Sequence, residues 1–176
     1  MAGTPASPGV IQNAMKVVAG VKPAAGAEAM AFGRDQADWD LLTGEGEAFL
    51  IERARLGRLT SYTELNAMLE RRTGFRRFDF ELQAERTAVG HLLGLIVERN
   101  RPVTGLMISA LVIYLDGNDA GSGFYKLAQA LGELPPGALS SRMKDEFWVG
   151  QVNALNARYQ RSTADKMPGT DDGGAR

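Results

Sequence analysis

The amino-acid sequence predicts an α+β domain, mostly helical, with one buried strand run and a long C-terminal helix. Three observations carry that class. The 176 residues are 44% hydrophobic and 23% charged, the balance of one soluble domain. Leu106 to Leu115, LMISALVIYL, is β-branched and almost continuously apolar, as in a strand covered on both faces. On both sides of it, apolar residues recur at helical spacing and are bracketed by capping signals.

The folding unit is expected over residues 36–160, between two arms. Residues 1–35 are small, Ala/Gly/Pro-rich and nearly uncharged, and read as a flexible arm. Its apolar stretch from Val10 to Val21 is broken by Asn13, Lys16 and Gly20 and lacks a basic start. It therefore reads as neither a secretory signal nor a membrane span, which predicts a cytoplasmic protein with no membrane partner. Residues 161–176 end in Asp171, Asp172, Gly173 and Gly174 and read as a disordered tail.

Within the unit, a first helix is expected from Glu45 to about Leu56, with Phe49, Leu50, Arg53 and Leu56 at helical spacing and Gly57 as a left-handed exit. Ser61 and Glu64 form the capping box of the next helix, in which Leu65, Met68 and Leu69 share a face and Gly74 is the stop. A longer helix is expected from Glu81 to about Asn100, ended by Pro102, with Gly90 and Gly94 admitting a neighbouring backbone. The apolar run forms the centre of the domain, DGNDAGSG from Asp116 is a turn, and a short helix follows from Phe124 to Leu131. The last helix opens at Ser140 or Ser141 and stacks Trp148, Val152, Leu155 and Tyr159 on one side, either closing the core or meeting a second subunit.

Composition narrows the chemistry. Without cysteine there are no disulfides, thiolate metal sites or thiol nucleophiles, and one histidine leaves little for zinc. Asp116, Asn118 and Asp119 begin like a calcium loop, but Ala120 and Leu127 occupy the fifth and twelfth positions, where ligands are required. No metal or cofactor is expected. The net charge is -1, yet the segment from Arg53 to Arg101 holds ten arginines against six acids, a local net of +4. Arginine presents a planar fork of donors suited to phosphate or a guanine edge. Arg71, Arg72, Arg76 and Arg77, beside Phe75 and Phe78, thus form a candidate nucleic-acid contact, the alternative being a solvated helix end.

His91, Ser109, Tyr114 and Ser122 are the candidates for a pocket, far apart in sequence and able to meet only in the fold. His91 otherwise reads as a packed or capping histidine, and Ser109 needs a base that sequence does not name. GSGF at Gly121 to Phe124 either caps a helix through Ser122 or aims free N–H groups at an anion.

Gly57 to Leu65, GRLTSYTEL, with Ala88-Val89-Gly90 and Asn100-Arg101-Pro102, resembles the DNA-binding domain of the alkylguanine-DNA alkyltransferases and alkyltransferase-like proteins, over about residues 57–115. The resemblance implies a winged-helix-like unit with Tyr62 near a target nucleotide and the face around Ala88 and Gly90 in a groove. The family's arginine before Ala-Val-Gly is replaced by Thr87, with Arg86 one place earlier. Its Pro-Cys-His-Arg strand is replaced by Ile108-Ser109-Ala110-Leu111, so the resemblance is to the non-catalytic branch. The segment SALVIYLDGNDAGSGFYKLAQALG is also similar to proteins of bacteria, phages and mobile elements, a likeness that carries no chemistry.

These readings predict a non-enzymatic DNA-binding accessory or regulatory module, of the kind carried by a phage, mobile element or defence system, using Arg58, Tyr62, Arg71, Arg72, Arg76, Arg77 and Arg86. One alternative is a protein-interaction adaptor or homodimer joined through Trp148, Val152, Leu155 and Tyr159. The other is an enzyme with its pocket around His91, Ser109 and Ser122.

Overall fold

Trp39, Leu42, Thr43, Gly46, Phe49 and Leu50 recur every three or four residues and form the buried face of helix α1, Gln36–Arg55. The computed structural model describes residues 32–116 and 119–164, with side chains as far as 160. Asp35 caps α1 by accepting from the Asp38 N–H at 2.9 Å, so the helix starts well before Glu45. Gly44 and Gly46 interrupt the apolar pattern that the sequence reading relies on, but a helix held by tertiary packing absorbs their low propensity.

Strand β1, Thr60–Ser61, leads directly into α2, Tyr62–Thr73. Half of the expected capping box forms: Ser61 Oγ accepts from the Glu64 N–H at 3.0 Å. The Glu64 carboxylate turns instead to Thr60 Oγ1 at 2.7 Å and to Arg53. Gly74, at φ 75°, ends α2 in the left-handed conformation that the sequence reading assigns to it. The following loop is pinned by buried Asn66, whose amide donates to the Phe78 carbonyl at 2.8 Å and accepts from its N–H at 2.9 Å.

Helix α3, Gln83–Thr104, outlasts Pro102, which sits in its final turn, and Gly105 at φ 72° is the actual stop. A Cβ on Gly46 would stand 2.6 Å from Ile96 Cδ1, so this glycine allows α1 and α3 to close on each other. Gly90, by contrast, faces open space and admits no neighbouring backbone.

The apolar run is central but is not one strand. Ile108–Leu111 form a 3₁₀ turn packed among α1, α3 and the last helix, and only Val112–Tyr114 form strand β2. Met107, Ile108, Ala110 and Leu111 are wholly buried, and that burial, common to both geometries, is what the composition records. Strand β3, Asp119–Ala120, completes a three-stranded sheet in the order β1-β2-β3, with β1 parallel and β3 antiparallel to β2. The architecture is α+β and mostly helical.

Helix α4, Ser122–Ala130, follows β3, and α5, Ser141–Ala164, closes the core. Leu155 is 0% exposed, and Trp148 Nε1 donates to the Ala110 carbonyl at 2.8 Å. Asn100 of α3 donates to Tyr159 Oη at 2.7 Å and to Glu47 of α1 at 3.0 Å, a polar node joining three helices. Trp148, Leu155 and Tyr159 are therefore engaged within this chain, with Val152 half-buried beside them. Of the two roles open to this side of α5, the core-closing one is observed. The helix runs on to Ala164, so residues 161–164 of the expected tail are helical; residues 165–176, and 1–31 of the expected arm, lie outside the described residues. Among the described residues no helix is long and apolar enough to cross a membrane.

Leu155→Ala is expected to lower unfolding free energy by about 2–5 kcal/mol in urea denaturation. Leu56→Ala, at a side chain 64% exposed, is expected to change it by less than about 0.5 kcal/mol.

Candidate functional site

The parallel register pairs Thr60 with Val112 and Ser61 with Ile113. One step further along both strands are Tyr62 and Tyr114, whose rings stack with centroids 4.5 Å apart and planes 26° from parallel. Burial, then the adjacent Tyr114 and a hydrogen bond to it, push the Tyr62 phenol well above its ordinary range, so this hydroxyl stays protonated. Tyr114 is 53% exposed.

The antiparallel register of β2 with β3 sets Gly121 against the tyrosine pair. A Cβ there would lie 2.8 Å from both Tyr114 Cε2 and Tyr62 Oη, so only glycine fits. Gly121 is also the N-cap position of α4, and no side chain caps the helix. The Phe124 N–H bonds to the Gly121 carbonyl, which leaves the N–H groups of Ser122 and Gly123 without an intrahelical acceptor. Ser122 is the first helical residue, not its cap.

Facing this helix start, α3 presents Gln83, Thr87, Gly90, His91 and Gly94 at helical spacing, with Arg86 beside them. The two sides enclose a cleft of about 300 Å³, at the lower end of the size range of small-ligand sites. Tyr62, Arg86, His91, Ser109, Tyr114 and Ser122 all line it. The four residues of the pocket reading thus meet, and they are joined by two of the seven proposed nucleic-acid contacts. The sixteen lining residues include Arg86 and Lys126 and no aspartate or glutamate.

The chemistry of each group follows from its surroundings. Arg86 donates to the Phe80 and Glu81 carbonyls and to Gln83 Oε1, with no carboxylate partner among the described residues. Its charge is positioned but not neutralised. Ser109 is 5% exposed, and its Oγ has no hydrogen-bond partner. His91 packs edge-on to Trp39 at 4.9 Å and against Phe32 at 5.6 Å. It makes no hydrogen bond to an acid or a hydroxyl among the described residues, which is the partner an acid–base role needs. Burial lowers its pKa, keeping the imidazole neutral near pH 7. Asp119, next to the cleft-forming hairpin, accepts from the Tyr125 hydroxyl.

The other assigned arginines stand outside the cleft. Arg72 pairs with Glu52 at 2.9 Å and Glu45 at 3.5 Å, Arg76 with Glu85 at 2.7 Å, and Arg77 with Glu70 at 2.6 Å. Arg53, Arg99 and Arg101 are likewise paired, with Glu64, Glu47 and Glu133. Arg58 and Arg71 are exposed. Phe78 is buried against Trp39, and Arg34 lies over its ring at 4.7 Å, so this ring belongs to the core and not to a surface platform. Among the described residues no group of three or more His, Asp or Glu could hold a metal ion.

Gln83, Thr87 and Lys126 are cleft residues that the sequence does not single out as site candidates, and Gly90 is placed in a groove only through the resemblance. The signal for Gln83, Thr87 and Gly90 is present: small or uncharged residues at i, i+4 and i+7 on a helix whose opposite side is core.

Because the folded state holds His91 neutral, the unfolded chain binds more protons just below its ordinary pKa of about 6.5. Stability is accordingly expected to fall as pH drops through that value toward the lower folded pKa. Proton NMR on this only histidine should give a midpoint below about 6.5, and His91→Gln should lose less stability than wild type between about pH 7.5 and 5.5. Comparison with family models, curated proteins and solved structures finds no match for this chain.

Proposed function

We propose that this protein is a non-enzymatic binding module whose cleft seats a nucleotide-like ligand, an anionic group joined to a flat ring. The observation that carries this reading is the make-up of the cleft: Arg86 and Lys126 and no carboxylate, in a chain whose acids outnumber its bases. Cations in a partly enclosed cleft favour an anion, because the surrounding protein screens less than water does. Tyr114, stacked on Tyr62 and half exposed, supplies a ring on which a base can lie.

The resemblance to a winged-helix-like DNA-binding unit supports the same class of ligand, since Tyr62, Arg86 and Gly90 are cleft residues. On this reading the nucleotide is either free or part of a DNA strand. The binding role is favoured over the enzyme reading because His91 packs against aromatic rings and makes no hydrogen bond to a hydroxyl or carboxylate among the described residues. It is favoured over a broad arginine stripe because Arg72, Arg76 and Arg77 each meet a glutamate.

Calorimetric titration with a nucleoside 5′-monophosphate tests this reading. Arg86→Ala and Lys126→Ala are each expected to weaken binding about fivefold to tenfold, and Arg72→Ala less than about twofold. If binding is instead confined to long duplex DNA and is lost on replacing Arg71, Arg72, Arg76 and Arg77, the cleft is not the site and the arginine stripe is.

Gly90→Ala is expected to stabilise α3 by about 0.5–1 kcal/mol, while its methyl group narrows the cleft and weakens the same ligand.

A further inference from the structure

We infer that the start of α4 together with Ser109 is the seat of a terminal phosphoryl group, so that the ligand class is a phosphomonoester. This rests on the cleft reading above and specifies which anion it takes.

Three features of the helix start point the same way. The N–H groups of Ser122 and Gly123 are the uncapped first donors of a nine-residue helix, where the peptide dipoles favour negative charge. Gly121 replaces the Ser, Thr, Asp or Asn that ordinarily satisfies those donors, and the tyrosine pair forbids any side chain there. Gly123 is open for a different reason: a Cβ on it would meet nothing within 4 Å. No protein atom requires glycine at this helical position, which leaves the backbone bare for a ligand to approach.

Ser109 is the independent observation. It lies on the 3₁₀ turn, outside α4, yet lines the same cleft, and its hydroxyl is shut from solvent with no partner. Buried hydroxyls without partners are uncommon, and rotation of this one toward the cleft gives it an acceptor once an anion enters. The walls of one cleft thus carry the Ser122 and Gly123 N–H groups, Ser109, Arg86 and Lys126. A phosphomonoester carries three terminal oxygens and close to two negative charges near neutral pH, the charge that the two cations of the cleft balance. A carboxylate or an internal phosphodiester can accept as many hydrogen bonds but brings a single negative charge to the two cations of the cleft.

The test uses the full chain, with inorganic phosphate, a nucleoside 5′-monophosphate and the parent nucleoside as probes in calorimetry. Ser122→Pro removes one donor at the helix position where proline is best accepted, and Gly121 before it is already extended at φ -63°, ψ 158°. Ser109→Ala removes a hydroxyl that has no partner in the free protein. Both variants are expected to melt as wild type or higher, while Ser122→Pro weakens inorganic phosphate about tenfold and Ser109→Ala about fivefold. The nucleoside should bind at least about tenfold more weakly than its monophosphate.

If both variants leave the phosphate affinity unchanged while Arg86→Ala still weakens the monophosphate, the seat is refuted and the cleft reading stands. If no probe binds wild type, the cleft reading fails and takes the seat with it. A single-stranded oligonucleotide that binds only when 5′-phosphorylated supports the seat and assigns its source to a strand end. Equal failure of both oligonucleotides beside a bound monophosphate supports it with a free nucleotide as source.

Discussion

Two residues of β1 paired in parallel with β2 hold the site together. Thr60 and Ser61 are joined to Val112 and Ile113 across about fifty residues of chain, and this pairing alone sets Tyr62 beside Tyr114. The strand is too short to be stable by itself. Its position comes from its flanks: α2 begins at Tyr62 and buries Leu65, Met68 and Leu69, and β2 continues from the fully buried turn at Ile108–Leu111. A slip of one residue in this pairing would part Tyr62 from Tyr114 and from the space that Gly121 leaves for its hydroxyl. The packing of the apolar centre thus dictates the geometry of the cleft, although few core residues touch it.

Charge is arranged in the same economical way. Six of the ten arginines between Arg53 and Arg101 pair with glutamates, several of them across different helices. Such partly exposed pairs add little stability individually, but they leave little free positive field around α2 and the loop after it. Arg86 differs because carbonyl oxygens and an amide hold it, and these orient a guanidinium without cancelling its charge. The small free positive field over the arginine-rich segment and the acid-free cleft follow from where the glutamates are, more than from where the arginines are.

What could be read from sequence was local. Ser61 as cap, Gly74 as left-handed stop, the helix after the polar turn and the central burial of the run from Met107 to Val112 each depend on neighbours within a few positions. Three things needed the fold. The passage of α1 through Gly44 and Gly46 rests on tertiary packing, with Gly46 set against Ile96 fifty positions away. The 3₁₀ geometry of Ile108–Leu111 has the same apolar composition as a strand and differs only in what packs on it. The pairing of Arg72 with Glu52 and of Arg76 with Glu85 joins residues that a charge count over a window treats as separate. His91, Ser109, Tyr114 and Ser122 read together from the sequence as candidates for a pocket, but only the fold, with its β1-β2-β3 register, brings them into one cleft.

Amide chemical-shift mapping tests the central claim most directly. On titrating the ¹⁵N-labelled chain with a nucleoside 5′-monophosphate, the largest changes should fall on Ser122 and Gly123, with Tyr62, Arg86 and Tyr114 following. Changes gathered on the segment from Arg71 to Arg77 instead, or spread without focus over the surface, would contradict it.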